Sequence, residues 1–158
     1  MAKAGYTAST LAAVALSAAT AKTILFVTAT ANFGMDLKKF RVGFDGVTAS
    51  AVPVLVELCY NTAATNSTAG TNNTTVGTPN QVYGRSITAG FTGGYSCTSE
   101  PTVLTAIDRW TLTPNGGLVI YDFPLGDTPD AAVSNGFALR CTAPAAVNVN
   151  ATMWWERI

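Results

Sequence analysis

The chain has 158 residues, of which 48% are hydrophobic and only 11% are charged, and its nine basic and nine acidic side chains give a net charge of zero. This length corresponds to a single domain that buries most of its unfolded surface. A charged fraction well below the roughly 25% of ordinary globular domains, with no net charge, predicts a protein that associates with others. The absence of a basic patch argues against a nucleic-acid partner.

Small side chains dominate the first part of the sequence. Residues 11–21 (LAAVALSAATA) imitate a signal peptide, but the run is too short and too rich in Ala and Thr to span a membrane. We expect instead an extended N-terminal arm over residues 1–21, followed by a single β-sandwich domain over residues 22–158. Because Ala, Thr and Ser bury little surface, we expect the arm to lack a core of its own and to become ordered only against a neighbour.

Strands are predicted by runs of β-branched residues and by alternation of apolar and polar side chains. The next part of the chain contains three such runs, at residues 22–31, 36–45 and 52–60. Turn signals separate them at residues 32–34 (NFG) and at Asp45-Gly46, and the second signal is typical of a hairpin. Residues 61–80 (NTAATNSTAGTNNTTVGTPN) carry no charge and few apolar side chains, which predicts a long polar loop.

The second half of the chain continues the pattern of strands and turns. Residues 81–88 are a further candidate strand, and the glycine-containing residues 90–99 are predicted to form a loop. Two more strands, at residues 108–113 and 118–123, flank the sequence PNGG at residues 114–117. The Asn-Gly step of that sequence predicts a hairpin.

The segment at residues 136–156 (GFALRCTAPAAVNVNATMWWE) has the clearest pattern. It reads as two strands separated by a turn at Pro144, which has no N–H to contribute to a ladder. The second strand alternates without interruption, which predicts one buried face made of Val147, Val149, Ala151, Met153 and Trp155. Trp154 then points to the opposite side, where we expect it to pack at a subunit boundary. A bulge near Met153 would exchange the roles of the two tryptophans.

Together these patterns indicate about eight strands and no long helix. The predicted fold is therefore all-β, a two-sheet antiparallel sandwich that is jelly-roll-like, with an extended N-terminal arm. The order of the strands does not follow from the pattern.

The chain lacks the residues and motifs of common enzymes. It contains no histidine, the most frequent general base and zinc ligand, and no nucleophile-elbow, P-loop or dinucleotide-binding motif. Asp127 and Asp130 lie on one connection and could hold calcium, although we favour a solvated loop. Cys59 and Cys141 fall on apolar strand faces and Cys97 in the predicted loop, with spacings too wide for a metal or redox motif. We predict no catalytic residue, no metal site and no cofactor.

The candidate functional residues are therefore those expected at contacts with other chains. Trp154 leads them, because tryptophan is enriched at interface hot spots. Arg140 and Arg157 are also candidates; together with Glu57 they lie among apolar strands, where they pair with each other or face water or a partner. The remaining candidates are larger apolar residues of the arm, namely Leu11, Val14 and Leu16.

Four stretches of the sequence resemble a known family. They are LSAATAKTILFVTATAN, KKFRVGFDGVTASAVPVLVELCY, SEPT and GFALRCTAPAAVNVNATMWWE, which cover most of the chain apart from its two polar loops. These stretches resemble the capsid decoration proteins of tailed bacteriophages, particularly of phages that infect actinobacteria. The resemblance implies a jelly-roll-like subunit that trimerises on the capsid exterior and clamps neighbouring major capsid proteins. The polar loop at residues 61–80 departs from that layout, and no single functional residue carries over.

Three functions are consistent with these observations. The first is a non-enzymatic decoration protein, located on the exterior of the virion, whose partners are the major capsid protein and its own copies, without nucleic acid or membrane. The second is a tail or fibre component that uses a similar sandwich. The third is a carbohydrate-binding module, which requires aromatic residues clustered on one exposed face.

Overall fold

The structure, a computed structural model, describes residues 3–30, 32–45, 52–62, 74–75, 79–101 and 103–158. These residues form thirteen β-strands and one 3₁₀ turn at Pro114–Gly116, and they contain no α-helix. The strands are β1 (Gly5–Ser9), β2 (Val14–Leu16), β3 (Ala21–Ala29), β4 (Met35–Phe44), β5 (Val54–Thr62), β6 (Thr74–Thr75), β7 (Asn80–Tyr83), β8 (Phe91–Tyr95), β9 (Leu104–Leu112), β10 (Leu118–Asp122), β11 (Asp130–Ala131), β12 (Asn135–Thr142) and β13 (Val147–Arg157).

The strands form two antiparallel sheets that enclose one main hydrophobic core. Sheet 1 has the strand order β10-β4-β13-β1-β7, with β11 also beside β4 and β2 also beside β13. Sheet 2 has the order β6-β8-β3-β12-β5-β9. Within the described residues, no strand pairs with the strand that follows it in the chain. The predicted all-β antiparallel sandwich is confirmed.

Eight of the strands follow the order of a jelly roll. Counted along the chain, these eight are β1, β3, β4, β5, β9, β10, β12 and β13. The first, eighth, third and sixth of them lie side by side in sheet 1, and the second, seventh, fourth and fifth lie side by side in sheet 2. The other strands are additions of two to five residues.

The C-terminal strand β13 lies in the centre of sheet 1, between β4 on one side and β1 and β2 on the other. All five residues of its predicted inner face, from Val147 to Trp155, are buried, so the period-two prediction is confirmed. The register with β4 shifts between Trp154 and Trp155, but the unmatched residue is Lys38 of β4. The alternation along β13 therefore continues, and the two tryptophans keep their predicted sides.

The N-terminal residues belong to the sandwich itself. β1 pairs with β13 and β7, and β2 pairs with β13. Tyr6 is 1% exposed, and its ring centroid lies 6.3 Å from that of Trp155 and 5.9 Å from that of Phe91. The expectation that residues 1–21 lack a core of their own is therefore wrong. Main-chain pairing with the central strand and one buried aromatic ring compensate for the small side chains around them.

Two local predictions are also corrected. Residues 114–117 do not form a hairpin, because β9 and β10 lie in different sheets. The 3₁₀ turn, followed by Gly117 with a φ of 86°, instead carries the chain from one sheet to the other. Residues 90–99 contain β8, in which Gly93 and Gly94 are buried beside β3. The predicted polar loop at residues 61–80 lies largely outside the described residues, as does Gly46 of the predicted Asp-Gly turn.

Candidate interaction surface

The described part of the chain contains no group of three or more His, Cys, Asp or Glu side chains that could hold a metal ion. No helix in that part is long and apolar enough to cross a membrane. Two clefts, one of them lined by Trp154, lie on the side of sheet 1 that faces away from the core, which we call the outer face of sheet 1. The outer faces of the two sheets are therefore the candidate sites.

Trp154 lies half-buried on the outer face of sheet 1. Two cations from the neighbouring strand β4 approach its ring, with Lys39 Nζ and Arg41 Cζ each 5.1 Å from the ring centroid. Arg41 Nε also donates a hydrogen bond of 3.2 Å to Thr152 Oγ1, which fixes the guanidinium on this face. These cation–π contacts restrain the indole ring, so that less side-chain entropy is lost if a partner buries it.

Two clefts lie on the outer face of sheet 1, and Trp154 lines the smaller one. One, of about 450 Å³, has Asn150, Thr152 and Leu118 among its lining residues. The other, of about 230 Å³, is lined in part by Trp154 and Tyr83. Because both clefts follow β4 and β13, the centre of the sheet is open to a partner along these two strands.

A cluster of charges lies at one end of the same face. Lys3 Nζ and Lys38 Nζ are 2.8 and 3.2 Å from Glu156 Oε2, and both lysines also contact Asp36, at 3.5 and 2.7 Å. Tyr83 donates its hydroxyl proton to Glu156 Oε1 over 2.6 Å. Burial by itself raises the pKa of Glu156, but hydrogen bonds from the two lysines and the tyrosine outweigh burial and lower the pKa to about 2. The cluster thus ties the N-terminal end of β1 to β4, β7 and β13.

Exposed apolar side chains lie on both edge strands of sheet 1. Val82 and Tyr83 are exposed on β7, and Leu118 and Ile120 are exposed on β10. Tyr83 also lies against Gly5, where any β-carbon would come within 2.3 Å of the tyrosine ring. Exposed apolar groups on β7 and β10 make the outer face of sheet 1 a candidate for contact with another protein.

The outer face of sheet 2, the corresponding side of the other sheet, is covered by its own chain. Residues 96–103 connect β8 to β9, which lie on opposite sides of β3, β12 and β5. Cys97 of this connection packs with Phe26, Cys59 and Ala138 in a small apolar cluster that is separate from the main core. This segment therefore covers the part of that face that contains Phe26 and Ala138.

All three cysteines are buried and free. Burial raises the pKa of Cys59 to about 11 and that of Cys97 to about 12, and it also raises the pKa of Cys141. These thiols are therefore protonated and unreactive at neutral pH. The prediction that Cys59 and Cys141 are buried is confirmed, and Cys97 resembles them because its connection folds back over sheet 2.

A row of charges crosses the outer face of sheet 2. Arg140, Glu57 and Arg109 lie side by side on β12, β5 and β9. Arg140 Nε is 2.6 Å from Glu57 Oε2, and Arg109 Nε is 2.8 Å from Glu57 Oε1, so both guanidinium groups share a carboxylate that is 4% exposed. The hydrogen bond to Glu57 raises the pKa of Arg140. Of the alternatives that the sequence left open for Glu57 and Arg140, pairing with each other is the one observed. Arg109 was missed because its position opposite Glu57 depends on the strand register.

Arg157 lies away from this row. Its guanidinium carbon is 3.1 Å from the centroid of the Phe33 ring, and its Nη1 donates a 2.9 Å hydrogen bond to Thr88 O. These contacts join β13 to the segments that contain Phe33 and Thr88. Arg157 does not pair with Glu57, so that alternative is wrong for this arginine. Its role at an interface stays a prediction, as does that of Arg140.

The three candidates from the N-terminal residues differ in exposure. Leu11, in the connection between β1 and β2, is 66% exposed and remains an interface candidate. Val14 and Leu16 are buried in the main core of their own chain. The prediction that these two side chains contact another subunit is therefore wrong, because β2 turns them inward where it pairs with β13.

Comparisons with protein-family models, with curated proteins and with solved structures found no match.

Proposed function

We propose that this chain is a non-enzymatic structural protein of a virion, which binds the major capsid protein as a homotrimer and so decorates and stabilises the exterior of a bacteriophage capsid. The observation that carries the proposal is the outer face of sheet 1. It combines a restrained tryptophan, two open clefts and apolar side chains at both edges, in a chain of zero net charge. The jelly-roll strand order supports it further, since the sequence resemblance implies that fold.

Decoration requires binding energy and no chemistry. A protein that binds the assembled shell but not its separated subunits stabilises the shell by mass action. Trp154 is suited to anchor such a contact, because Lys39 and Arg41 already restrain its ring. Most of the charges on this face are already paired within the chain, so few unpaired charges have to lose their water when the face packs against a shell.

The test is co-sedimentation of the purified chain with phage heads assembled without it, together with sedimentation velocity of the chain alone. We expect a trimer at micromolar concentration that binds heads. We expect Trp154→Ala to weaken head binding or trimer formation by at least about 2 kcal/mol. Ile107→Ala, at an exposed position on the edge of sheet 2, is the matched control and should bind as the wild type does. A monomer that fails to bind heads would contradict the proposal, and binding to tails would support a tail component.

Carbohydrate binding is a second candidate function, favoured by one observation. Trp154 and Tyr83 line the same cleft of about 230 Å³, together with Asp122. Against it, Lys39 and Arg41 already approach the ring on which a sugar would stack. Titration with cell-wall oligosaccharides, followed by tryptophan fluorescence, separates the two functions. A saturable change that Trp154→Ala abolishes would support carbohydrate binding.

A further inference from the structure

Each sheet ends in edge strands, whose unpaired backbone groups can pair with another chain unless the edge is protected. In the described part of the chain, the strands with a free edge are β2, β7, β10 and β11 in sheet 1 and β6 and β9 in sheet 2. Proteins protect an edge by keeping it short or by placing a bulge, a proline or charged residues on it. An edge without these features is open to a partner strand.

All of these edges except β10 are protected. β2, β6 and β11 have only two or three residues each. β7 has four, lies between Pro79 and Gly84, and pairs with β1 in an irregular register. β9 is longer, but its register with β5 skips Ile107, which forms a bulge next to the charged residues Asp108 and Arg109. Each of these edges is therefore short, irregular in register, or interrupted by a bulge beside charged residues.

The edge strand β10 (LVIYD) is different. It pairs with β4 in a regular register from Leu118 to Asp122, and it pairs with no other strand in the described residues. Its first four residues are uncharged, and Leu118, Ile120 and Tyr121 are 54%, 56% and 42% exposed. The Tyr121 ring is stacked on Phe40, with centroids 5.5 Å apart and an interplanar angle of 5°. β10 is therefore a regular, apolar edge that its own core holds in place.

We infer that β10 is a strand-addition site, which takes an extended, uncharged segment of another polypeptide as a further strand of sheet 1. In such a complex the main-chain hydrogen bonds supply affinity, and alternate side chains supply specificity. The segment that fits has apolar side chains at alternate positions, because it lies beside Leu118 and Ile120 on one face and beside Tyr121 on the other. The inference rests on the proposed function, in that the segment belongs to the major capsid protein.

A second copy of this chain fits β10 less well. Two β10 strands that pair about a two-fold axis form a dimer and not the trimer of the proposed function. Pairing of β10 with a different edge of a second copy would use an edge that is short, irregular or charged. A strand from another polypeptide avoids both difficulties.

The test compares two lysine variants, Ile120→Lys on β10 and Ile107→Lys on β9. Both isoleucines are exposed at a sheet edge, so both variants are expected to fold, which chemical denaturation checks. Heads assembled without this chain are the binding probe, and hydrogen exchange of the amides of residues 118–122 is measured before and after binding. We expect this exchange to slow by about tenfold or more on binding. Ile120→Lys should weaken head binding by about tenfold or more, and Ile107→Lys by less than about twofold.

The outcomes separate this inference from the function on which it rests. If the wild type binds heads but exchange at residues 118–122 is unchanged, or if both variants weaken binding equally, β10 is not the site and the proposed function still stands. Protection of β10 that develops in the free protein as its concentration rises would assign the strand to a second copy and overturn the inference. Failure of the wild type to bind heads would remove the proposed function and the inference together.

Discussion

The two outer faces of the sandwich are completed in different ways. On sheet 2, residues 96–103 cross three strands, and Cys97 packs with Phe26 in a second apolar cluster. On sheet 1 the corresponding face has no such cover in the described residues, and Trp154 lines an open cleft, with Lys39 Nζ and Arg41 Cζ each 5.1 Å from its ring centroid. The outer face of sheet 2 is therefore partly covered by its own chain, whereas the outer face of sheet 1 is accessible to a partner.

This difference separates residues that stabilise the fold from residues that bind. An aromatic side chain on the covered face contributes to the free energy of unfolding, because solvent is excluded from it in the isolated subunit. An aromatic side chain on the open face loses most of its contact with water only when a partner arrives. Substitutions on sheet 2 should therefore change stability, and substitutions on sheet 1 should mainly change association.

The largest expected effect tests whether the open sheet depends on its N-terminal strand. Deletion of residues 1–9 removes β1, which pairs with both β13 and β7 and contributes the buried ring of Tyr6. We expect the deleted chain to lose its cooperative unfolding transition in circular dichroism. Deletion of Met1 and Ala2 alone is the control and should retain the transition. A stable, folded product of the longer deletion would mean that these residues act as a detachable arm after all.

The next prediction compares one aromatic residue from each outer face. Phe26→Ala should lower the free energy of unfolding by about 3–5 kcal/mol, because the ring is buried in the cluster under residues 96–103. Trp154→Ala should lower it by only about 1 kcal/mol, because the larger ring is half-buried on an uncovered face. Urea denaturation of both variants measures the two values. Equal losses would show that the open face is as important for folding as the covered one.

The pattern of the sequence predicted individual strands better than their connections. The alternation from Val147 to Trp155 identified the inner face of β13, because burial on one side of a strand leaves a period of two in the sequence. The hairpin predicted at residues 114–117 was wrong, because an Asn-Gly step fixes only a local turn and not the sheet to which the next strand goes. In this jelly roll every ladder joins strands that are not consecutive in the described chain, and local signals do not report such pairs.

Composition also misled the prediction at two strands. β1 and β8 are rich in Gly, Ala, Ser and Thr, which have low or ambiguous strand propensity. Their positions are set by neighbours far away in the sequence, since β1 pairs with β13 and β8 pairs with β3. In the candidate site, the outward position of Trp154 could be predicted from the alternation in the sequence. The contacts of Lys39 and Arg41 with its ring could not, because they depend on the register between strands. The same is true of the pair between Arg109 and Glu57.

A smaller effect is expected in the charged row of the covered face. Glu57→Gln keeps the shape of the side chain but leaves the guanidinium groups of Arg140 and Arg109 without their shared carboxylate. We expect a loss of about 2 kcal/mol, below the 3–5 kcal/mol of a fully buried pair because Arg109 is mostly exposed to solvent. Urea denaturation measures the loss, and head binding should not change. Weaker head binding at unchanged stability would place the row at an interface and contradict the view that this face is finished by the chain.

The smallest effect is expected in the charge cluster at the end of the open face, and it depends on pH. Glu156 faces Lys3, Lys38, Tyr83 and, through the lysines, Asp36. Its pKa in the folded chain, about 2, lies below the ordinary value, so the folded state favours the charged form. The resulting stability is present above the unfolded pKa of about 4.3 and is lost as the pH falls towards 2.

Substitution of this carboxylate should therefore matter at neutral pH and not in acid. Glu156→Gln should lower the free energy of unfolding by about 1 kcal/mol at pH 7, as for other partly exposed ion pairs, and by progressively less between pH 5 and about pH 2. Other carboxylates titrate in both proteins, so the difference between the two unfolding curves isolates Glu156. Asp122→Asn is the control, because the Asp122 side chain is mostly exposed and makes a single, longer ion pair of 3.6 Å with Lys39. This substitution should change the free energy of unfolding by less than about 0.5 kcal/mol. The alternative result is that the two proteins differ in stability by the same amount at pH 7 and at pH 2.5. That result would contradict the prediction, because it would show that the amide disturbs packing and that the charge of Glu156 does not contribute.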